Sequence, residues 1–326
     1  VWRMTRTGVD NAAGARQRYT FGVVILNWNN AEDTISCLDA LAVTNPRPKH
    51  VVVVDNGSAD RSVVAIGARI SRVESLERES FEQSVTLIRA DANLGFAGGT
   101  NLGLAWLKAN TPDTHFVLLN NDATVTRSFF GDMADAIDQI GEDAIIGPTI
   151  YEDPDRDRLW YAGAREIPFR ALVQHTCSRP DSPLPRTTDF VSGCAMAISR
   201  GVIDRIGILA EIFFPAYFED GDFCHRARRA GIPVMYAPVP VVYHKVGSTV
   251  RAANIETLLV YAKNRLRVVY VRRNYTGSQK AMALTYLAVT KPAKFIVETL
   301  SGHPRRGWAI LSGSSAGFLT RDVGTR

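Results

Sequence analysis

Residues 51–58 read Val51-Val52-Val53-Val54-Asp55-Asn56-Gly57-Ser58, four β-branched residues followed at once by polar residues and a glycine. A short run that is apolar at every position is typical of a strand with both faces buried. The polar residues and the glycine after it are typical of a turn. This segment therefore predicts an interior strand of a parallel sheet, with Asp55 at its carboxyl end.

Similar apolar runs occur on both sides of this segment. Further strands are predicted at residues 23–26, 85–88, 116–119 and 144–149. Between the strands, apolar residues recur at helical spacing, which predicts helices near residues 32–43, 60–72, 97–108 and 127–140. Strands and helices in alternation predict an α/β fold, with a mainly parallel central sheet flanked by helices.

Polar side chains collect after the predicted strands. They are Asn27 and Asn29 after the first strand, Asp55 and Asn56 after the second, Asn93 after the third, and Asn120 and Asp122 after the fourth. One aspartate in such a place is more often a turn former or a helix cap than a ligand. Parallel strands, however, bring their carboxyl ends to one edge of the sheet, where ligands bind. Several such positions together predict a binding site at that edge.

The segment after residue 150 is less regular. Strands are predicted at residues 188–199, near 234–236 and at 240–243. Between the first two of these strands, an acidic segment at residues 219–222 leads into a basic helix, which Gly231 and Pro233 end. The sheet-based domain is therefore predicted over residues 21–253, after a polar N-terminal tail at residues 1–20.

The last 72 residues are basic. Residues 255–326 contain 12 Lys and Arg residues but 3 Asp and Glu residues, whereas residues 1–254 contain 26 and 30. Helices are predicted at residues 254–273 and 279–300. Lys291, Pro292 and Lys294 interrupt the apolar residues of the second segment, which disfavours a membrane span. The segment's apolar face and flanking cations suit a helix lying in the plane of a membrane surface, but packing on the rest of the protein gives the same pattern. Both interpretations of the basic helical region, residues 254–326, stay open.

Composition excludes several classes of protein. Apolar residues make up 46% and charged residues 22% of the 326-residue chain, which excludes a disordered chain or a collagen-like repeat. The four cysteines form no C-x-x-C pair, so a zinc ribbon is not expected. The sequence shows no uninterrupted run of 18 apolar residues and no apolar segment directly after its N-terminal arginines. We therefore expect a cytoplasmic protein.

Five motifs occur in a fixed order along the chain. They are VVDNGSAD at residues 53–60, NLGFAGGTNLG at residues 93–103, LNND at residues 119–122, FEDGD at residues 218–222, and His244. Over residues 21–275 this set resembles the family 2 glycosyltransferases, and within them the bacterial branch that contains rhamnosyltransferases. The resemblance implies a GT-A fold, a nucleotide-sugar donor, a divalent metal ion and inversion at the anomeric carbon.

The resemblance assigns metal binding to Asp122 and His244. Asp122 matches the last carboxylate of the family's DxD motif, and His244 matches a position that supplies a histidine ligand in related enzymes. The chain departs from the family pattern because Asn120 and Asn121 stand where acidic residues are often found. We therefore expect weak binding of Mg²⁺ or Mn²⁺ until the diphosphate of the donor completes the ligand shell.

The acceptor hydroxyl must lose a proton as it attacks, and a positioned carboxylate can accept it. By resemblance, Asp220 is the general base and Glu219 binds or orients the acceptor. An acidic start of the following helix, favoured by the helix dipole, is the alternative explanation of the cluster and especially of Asp222.

The resemblance assigns binding of the nucleotide sugar to nine residues: Asn27, Asn29, Asp55, Asn56, Asn93, Gly95, Gly98, Asn101 and Asn121. Asp55 is expected to contact the nucleobase or the ribose. The glycines at residues 95–99 would allow close approach of the backbone to a phosphate at a helix start. This segment is neither a P-loop, because no Gly-Lys-Ser/Thr follows, nor a dinucleotide fingerprint, because its place and spacing differ.

The predicted function is therefore an inverting glycosyltransferase of cell-surface polysaccharide or cell-wall synthesis, with rhamnose as a candidate sugar. Its acceptor would be a saccharide, carried on a polyprenyl lipid if the basic region lies on the inner leaflet of the membrane. A sugar nucleotidyltransferase is an alternative, although no basic Gly-rich motif precedes residue 50. A non-catalytic binder of anionic surfaces is a second alternative. A nucleic-acid partner is not expected, although Tyr270 and Tyr275 lie among arginines that could stack on bases.

Overall fold

A mixed sheet forms the centre of the molecule in the computed structural model, which describes residues 18–71, 81–178, 181–246 and 256–321. Most of the predicted N-terminal tail and the boundary predicted at residue 253 lie outside these ranges. The strands are β1 (Phe21–Asn27), β2 (His50–Asp55), β3 (Val85–Arg89), β4 (His115–Asn120), β5 (Ala123–Val125), β6 (Ile145–Glu152), β7 (Leu159–Tyr161), β8 (Ala164–Ile167), β9 (Leu172–His175), β10 (Arg186–Thr187), β11 (Ala195–Ser199) and β12 (Val234–His244). Strands β8 and β9 form a separate hairpin, and the others join the main sheet.

The main sheet has the order β10-β12-β6-β11-β4-β1-β2-β3, with β5 beside β12 and β7 beside β6. The strands β3, β2, β1 and β4 are parallel, as the apolar runs predict. Strand β11 is antiparallel to both β4 and β6, which makes the sheet mixed. The carboxyl ends of β1, β2 and β4 therefore lie at one edge, and this edge carries the predicted polar residues.

Helices cover both faces of the sheet. They are α1 (Ala31–Ala42), α2 (Ser62–Ser71), α3 (Gly95–Asn110), α4 (Phe129–Ile140), α5 (Arg200–Ile206), α6 (Glu219–Arg229), α7 (Glu256–Asn274), α8 (Gly277–Leu300) and α9 (Pro304–Leu319). Alternate residues of β1 face opposite layers: Ile25 packs in the core that contains Phe129 of α4, and Val24 in the core that contains Leu104 of α3. The residues of β1 and β2 are apolar throughout because both faces are covered.

Two segments differ from the predicted strands. Residues 188–194 are not part of a strand, and β11 begins at Ala195, because the Ala195 N–H donates to the Ser192 carbonyl and closes a turn. The two strands predicted near residue 240 are one strand, β12, with a shift in its pairing to β6 between Tyr236 and Val241. Two prolines within the shift, Pro238 and Pro240, cannot donate to the ladder.

The C-terminal helices pack on the sheet-based domain and on one another. The fully buried carboxylate of Asp222 in α6 accepts hydrogen bonds from Arg273 (2.7 Å) and Asn274 (3.0 Å) of α7. Helix α9 lies close to α7, since a Cβ on Gly313 would stand only 2.4 Å from the Tyr261 carbonyl oxygen. Helix α7 therefore packs on the sheet-based domain, which is one of the two interpretations that the sequence left open.

Helix α8 runs through Pro292 without a break, and Pro292 is exposed. Among the residues that the structure describes, no helix has both the length and the apolar character needed to cross a membrane.

Candidate active site

One cavity of about 660 Å³ brings together residues that are far apart in the chain. Its lining includes Asn120 at the end of β4, Glu219 and Asp220 at the start of α6, and His244 at the end of β12. Asp122 does not line the cavity itself but contacts His244. The predicted catalytic and metal-binding residues therefore share one site.

The predicted metal pair is held by the sheet. Because β5 pairs with β12, His244 lies opposite Ala123, the residue after Asp122. The Nε2 atom of His244 is 3.1 Å from Oδ1 of Asp122, and both side chains are buried. Burial alone would lower the pKa of His244, but the neighbouring Cys194 and the Asp122 carboxylate raise it well above its ordinary value.

One carboxylate and one imidazole fit a divalent cation only in part. Among the described residues, no group of three or more His, Cys, Asp or Glu side chains is arranged to hold a metal ion. Asp122 and His244 offer one oxygen and one nitrogen ligand, whereas Mg²⁺ and related ions take about six ligands. The pair therefore suits a cation whose other ligands come from a bound diphosphate and water.

Glu219 and Asp220 begin α6 after a strained bend. The two residues before them, Tyr217 and Phe218, have positive φ angles of 85° and 76°, which are uncommon for bulky side chains. Helix α7 supports this bend, because the Phe218 ring lies 5.6 Å from that of Tyr270 and Lys263 Nζ lies 5.3 Å from the centre of the Tyr217 ring. Backbone strain of this kind is concentrated at functional sites.

The two carboxylates have different surroundings. Asp220 is half-buried and accepts hydrogen bonds from the N–H groups of Gly193 (3.1 Å) and Gly221 (2.8 Å). Burial raises its pKa, and these N–H groups partly offset the rise. Burial and the charge of Asp220 raise the pKa of Glu219 well above its usual range, and its Oε2 atom has no hydrogen-bond partner among the described residues. We infer that Asp220 carries the negative charge and Glu219 the proton.

The residues predicted at the ends of β1 and β2 bind each other. Asn27 Nδ2 donates to Asp55 Oδ1 (2.8 Å), and the Ser58 N–H donates to Asp55 Oδ2 (3.1 Å). Asn27 and Asp55 are fully buried, whereas Asn29 is exposed and its Oδ1 accepts from the Ala59 N–H. These contacts hold the strand ends and the following turn together.

The other predicted donor residues also have protein partners. Asn56 Oδ1 accepts from the Leu94 N–H and Asn93 Oδ1 from the Gly95 N–H, while the Phe96 N–H donates to the Pro215 carbonyl. These three N–H groups at the start of α3 therefore have partners within the protein. The role in phosphate binding expected of the helix start stays a prediction.

A further three of these residues pack inside the domain. Asn101 Nδ2 donates to the Leu209 carbonyl, and Asn121 Nδ2 to Thr34 Oγ1. A Cβ on Gly98 would lie 2.9 Å from Leu94 Cβ. None of the nine predicted donor residues is among those that line the cavity. They lie at or just after the ends of β1, β2 and β4 and at the start of α3.

Sequence reasoning missed part of the site. Gly193 supplies an N–H to the proposed base from a loop that was predicted as a strand. Five cations of the C-terminal helices also line the cavity: Lys263, Arg267, Lys291, Lys294 and Arg306. The basic excess of residues 255–326 is visible in the sequence, but no local pattern places it at the cavity.

Sequence comparison finds relatives with named activities. The chain is similar to a low-salt glycan biosynthesis hexosyltransferase of Haloferax volcanii, at 24% identity over 72% of this chain and 71% of the relative. It is also similar to the N-acetylglucosaminyl-diphospho-decaprenol L-rhamnosyltransferase of Mycobacterium tuberculosis, at 27% identity over 70% of this chain and 77% of that protein.

Structure comparison finds glycosyltransferases with the same fold. The structure of GalNAc-T7 with UDP, GalNAc and Mn²⁺ matches with a TM-score of 0.62 at 12% identity, over 84% of this chain and 51% of the other, so the chain spans about half of its length. The mannosyltransferase PcManGT from Pyrobaculum calidifontis, in complex with GDP-Man and Mn²⁺, matches with a TM-score of 0.54 at 14% identity, over 95% and 93% of the two chains. The predicted GT-A fold is confirmed.

A family model covers more than half of the chain. The model of glycosyl transferase family 2 matches residues 22–207, from β1 to the residue after α5. This range contains the first three of the five motifs, and the other two, at residues 218–222 and 244, contribute to the same cavity. The chain is therefore a glycosyltransferase and belongs to glycosyl transferase family 2.

Proposed function

We propose that the chain transfers a sugar, with inversion of the anomeric centre, from a nucleoside-diphosphate donor to a saccharide carried on a polyprenyl diphosphate. The observation that carries this proposal is the meeting of Glu219 and Asp220 with the Asp122–His244 pair at one cavity. The reaction would belong to cell-surface polysaccharide or cell-wall synthesis.

In the proposed reaction, Asp220 accepts the proton of the acceptor hydroxyl as its oxygen attacks the anomeric carbon. The bond between that carbon and the nucleoside diphosphate breaks as the new glycosidic bond forms on the opposite face. Burial, which raises the pKa of Asp220, makes it a stronger base than an exposed aspartate. The Gly193 and Gly221 N–H groups hold the carboxylate in place, and protonated Glu219 can donate a hydrogen bond to the acceptor.

A divalent cation, Mg²⁺ or Mn²⁺, held by Asp122 and His244 would stabilise the negative charge of the departing diphosphate. In the absence of the donor, the two protein ligands alone predict weak metal binding. The nine residues at the strand ends and the start of α3, from Asn27 to Asn121, are proposed to shape the donor site.

The choice of sugar and acceptor is supported by one relative. The protein of Mycobacterium tuberculosis is, by its name, an L-rhamnosyltransferase that acts on a diphosphate-linked decaprenol carrying N-acetylglucosamine. We therefore infer a lipid-diphosphate acceptor for this chain and rhamnose, from a dTDP donor, as the first sugar to test.

Association with the inner leaflet of the membrane, as a peripheral protein, is part of the proposal. The side of α8 away from the protein presents Met282, Val289, Ile296 and Leu300, each more than half exposed, and Trp308 of α9 is also exposed. Exposed apolar side chains at helical spacing, flanked by cations, are typical of a helix that lies on a lipid surface. A site near such a surface could receive a saccharide on a lipid carrier.

The direct test is transfer from labelled nucleotide sugars to a lipid-linked saccharide. We expect Asp220→Asn to lower kcat about 10²–10⁴-fold, the usual contribution of a general base.

Asp122→Ala should raise the Mn²⁺ concentration needed for half-maximal rate. The matched control is Asp204→Asn, which removes an exposed carboxylate paired with Lys108. Unchanged turnover in the Asp220 and Asp122 variants would contradict the proposed roles.

A further inference from the structure

Besides Arg306 of α9, which pairs with Glu256 and Glu298, four cations of the C-terminal helices line the cavity: Lys263 and Arg267 of α7, and Lys291 and Lys294 of α8. We call these four residues the cationic cluster. Lys291 is buried, with 7% of its surface exposed, and Arg267 is half-buried, whereas Lys263 and Lys294 are exposed. The family motifs do not include them, and the mechanism above does not use them.

The cationic cluster lacks counter-charges. Among the described residues, none of its four members forms an ion pair with a carboxylate. Their polar contacts are to neutral groups: Lys291 Nζ donates to Asn264 Oδ1 (2.6 Å), and Arg267 Nε to the Ala171 carbonyl (3.0 Å). Glu166, a carboxylate of the same lining, is occupied by Arg228, Tyr270 and Tyr275. Among the described residues, the four cations therefore have no carboxylate in direct ion-pair contact.

The four cations also act on one another. Burial and the charges of Arg267, Lys294 and Lys263 lower the pKa of Lys291 to about 7. Burial, Arg267 and Lys294 likewise lower the pKa of Lys263. Like charges held together in a partly buried place oppose folding, so a polyvalent anion that neutralises them would relieve this repulsion.

We propose that the cationic cluster binds the diphosphate of the lipid-linked acceptor. This inference rests on the proposed function. It gives the diphosphate of the acceptor a binding site, which none of the five motifs provides. Apolar residues of the same lining, among them Leu172, Val260 and Ile310, would contact the first isoprenyl units. The exposed apolar side of α8 would lie where the lipid enters the membrane.

The position of the cluster favours the acceptor over the donor. The proposed metal pair lies on the sheet side of the cavity, where the Cys194 carbonyl accepts from the Asn120 N–H and Gly193 contacts Asp220. Lys263 of the cationic cluster lies 5.3 Å from the centre of the Tyr217 ring, and Tyr217 precedes Glu219 by two residues. A saccharide with its hydroxyl at Asp220 would therefore extend toward α7 and α8.

Isothermal titration with farnesyl diphosphate, in buffer with EDTA to remove divalent metals, tests the cluster. We expect the Lys263→Gln/Lys294→Gln variant to bind about tenfold to a hundredfold more weakly than wild type, as charged hydrogen bonds predict. Arg305→Gln removes an exposed cation of α9 outside the cavity and should bind like wild type. Inorganic pyrophosphate should show the same relative loss. Farnesol, which lacks phosphate, should not distinguish the variants.

Three outcomes would overturn the inference: no binding of farnesyl diphosphate by wild type, equal binding by the double variant, or full displacement by a nucleoside diphosphate under the same metal-free conditions. The binding measurement needs no catalysis. Should wild type transfer sugar to no acceptor while the double variant still loses diphosphate binding, the proposed function fails and the anion site remains. If wild type transfers sugar but the double variant binds the diphosphate as tightly as wild type, the proposed function stands and the role of the cationic cluster is wrong.

Discussion

Two buried charges at the junction of the sheet-based domain and the C-terminal helices have opposite surroundings. The carboxylate of Asp222 in α6 is fully buried and is bound by Arg226, Arg273 and Asn274. The ammonium group of Lys291 in α8 is bound by the amide of Asn264, and its charged neighbours are cations. A buried charge with its counter-charges holds the fold together, whereas one without them indicates a place for a ligand.

The largest effect is expected from breaking the compensated charge. Asp222→Asn keeps the shape of the side chain but leaves Arg226 and Arg273 without their carboxylate. Loss of one partner from a buried ion pair costs about 3–5 kcal/mol, so the free energy of unfolding in urea should fall by that amount. The exposed pair of Asp204 with Lys108 is the control, and Asp204→Asn should cost about 1 kcal/mol or less. Equal losses in the two variants would remove the contrast.

Replacing the uncompensated charge should have the opposite sign. Lys291→Met removes a buried cation beside three other cations, and the variant should be about 1–3 kcal/mol more stable than wild type at pH 7. The acceptor KM should rise in the same variant. Destabilisation of the protein by Lys291→Met would show that this charge supports the fold.

The same residue predicts a pH dependence. Its pKa falls from 10.5 in the unfolded chain to about 7 in the fold, so between these values the unfolded chain binds more protons. The contribution of Lys291 to stability therefore increases as pH rises from 7 to 10.5, and its full cost applies below pH 7. Urea unfolding across this range should show a steeper rise for wild type than for Lys291→Met. Parallel curves for the two proteins would be the contrary result.

Activity should also depend on pH, because the proposed general base Asp220 titrates. Burial raises the pKa of Asp220, and a general base must be deprotonated to act. The acid limb of kcat/KM should therefore lie above the ordinary aspartate pKa of 3.8. An acid limb at or below that value would indicate a different base or an exposed one.

The smallest effect is expected on the outer side of α8. Ile296→Ser and Leu300→Ser should weaken sedimentation with vesicles that contain phosphatidylglycerol, because each removes an exposed apolar contact. Val64→Ser, on the exposed side of α2 in the sheet-based domain, is the matched control and should leave sedimentation unchanged. A similar loss in all three variants would indicate non-specific binding.

The sequence predicts the sheet-based side of the molecule better than the helical side. Apolar runs such as residues 51–54 define interior strands. The order of the motifs predicts that Asp220 and His244 belong to the same site, because each lies next to a recognisable strand or helix end. Gly193 could not be found this way. Its role depends on a turn that ends the predicted strand early and on a contact with a residue 27 positions away.

The cationic cluster shows the same limit more strongly. Lys291 lies in a helix whose local pattern also fits a membrane-surface segment, and its burial depends on the packing of α8 against the rest of the protein. Gly95 at the start of α3 is a further example, since a Cβ there would stand 2.7 Å from the Pro215 carbonyl oxygen. Such long-range contacts leave no periodic signal in the sequence.

The central claim is that the two ends of one cavity have separate tasks, chemistry at the acidic pair and acceptor binding at the cationic cluster. Steady-state transfer to a lipid-diphosphate saccharide tests it most directly, with Asp220→Asn compared to Lys263→Gln/Lys294→Gln. We expect the first variant to lower kcat with little change in acceptor KM, and the second to raise acceptor KM with kcat and donor KM retained. If both variants changed the same kinetic constant, or the double variant raised donor KM instead, this division of the cavity would be wrong.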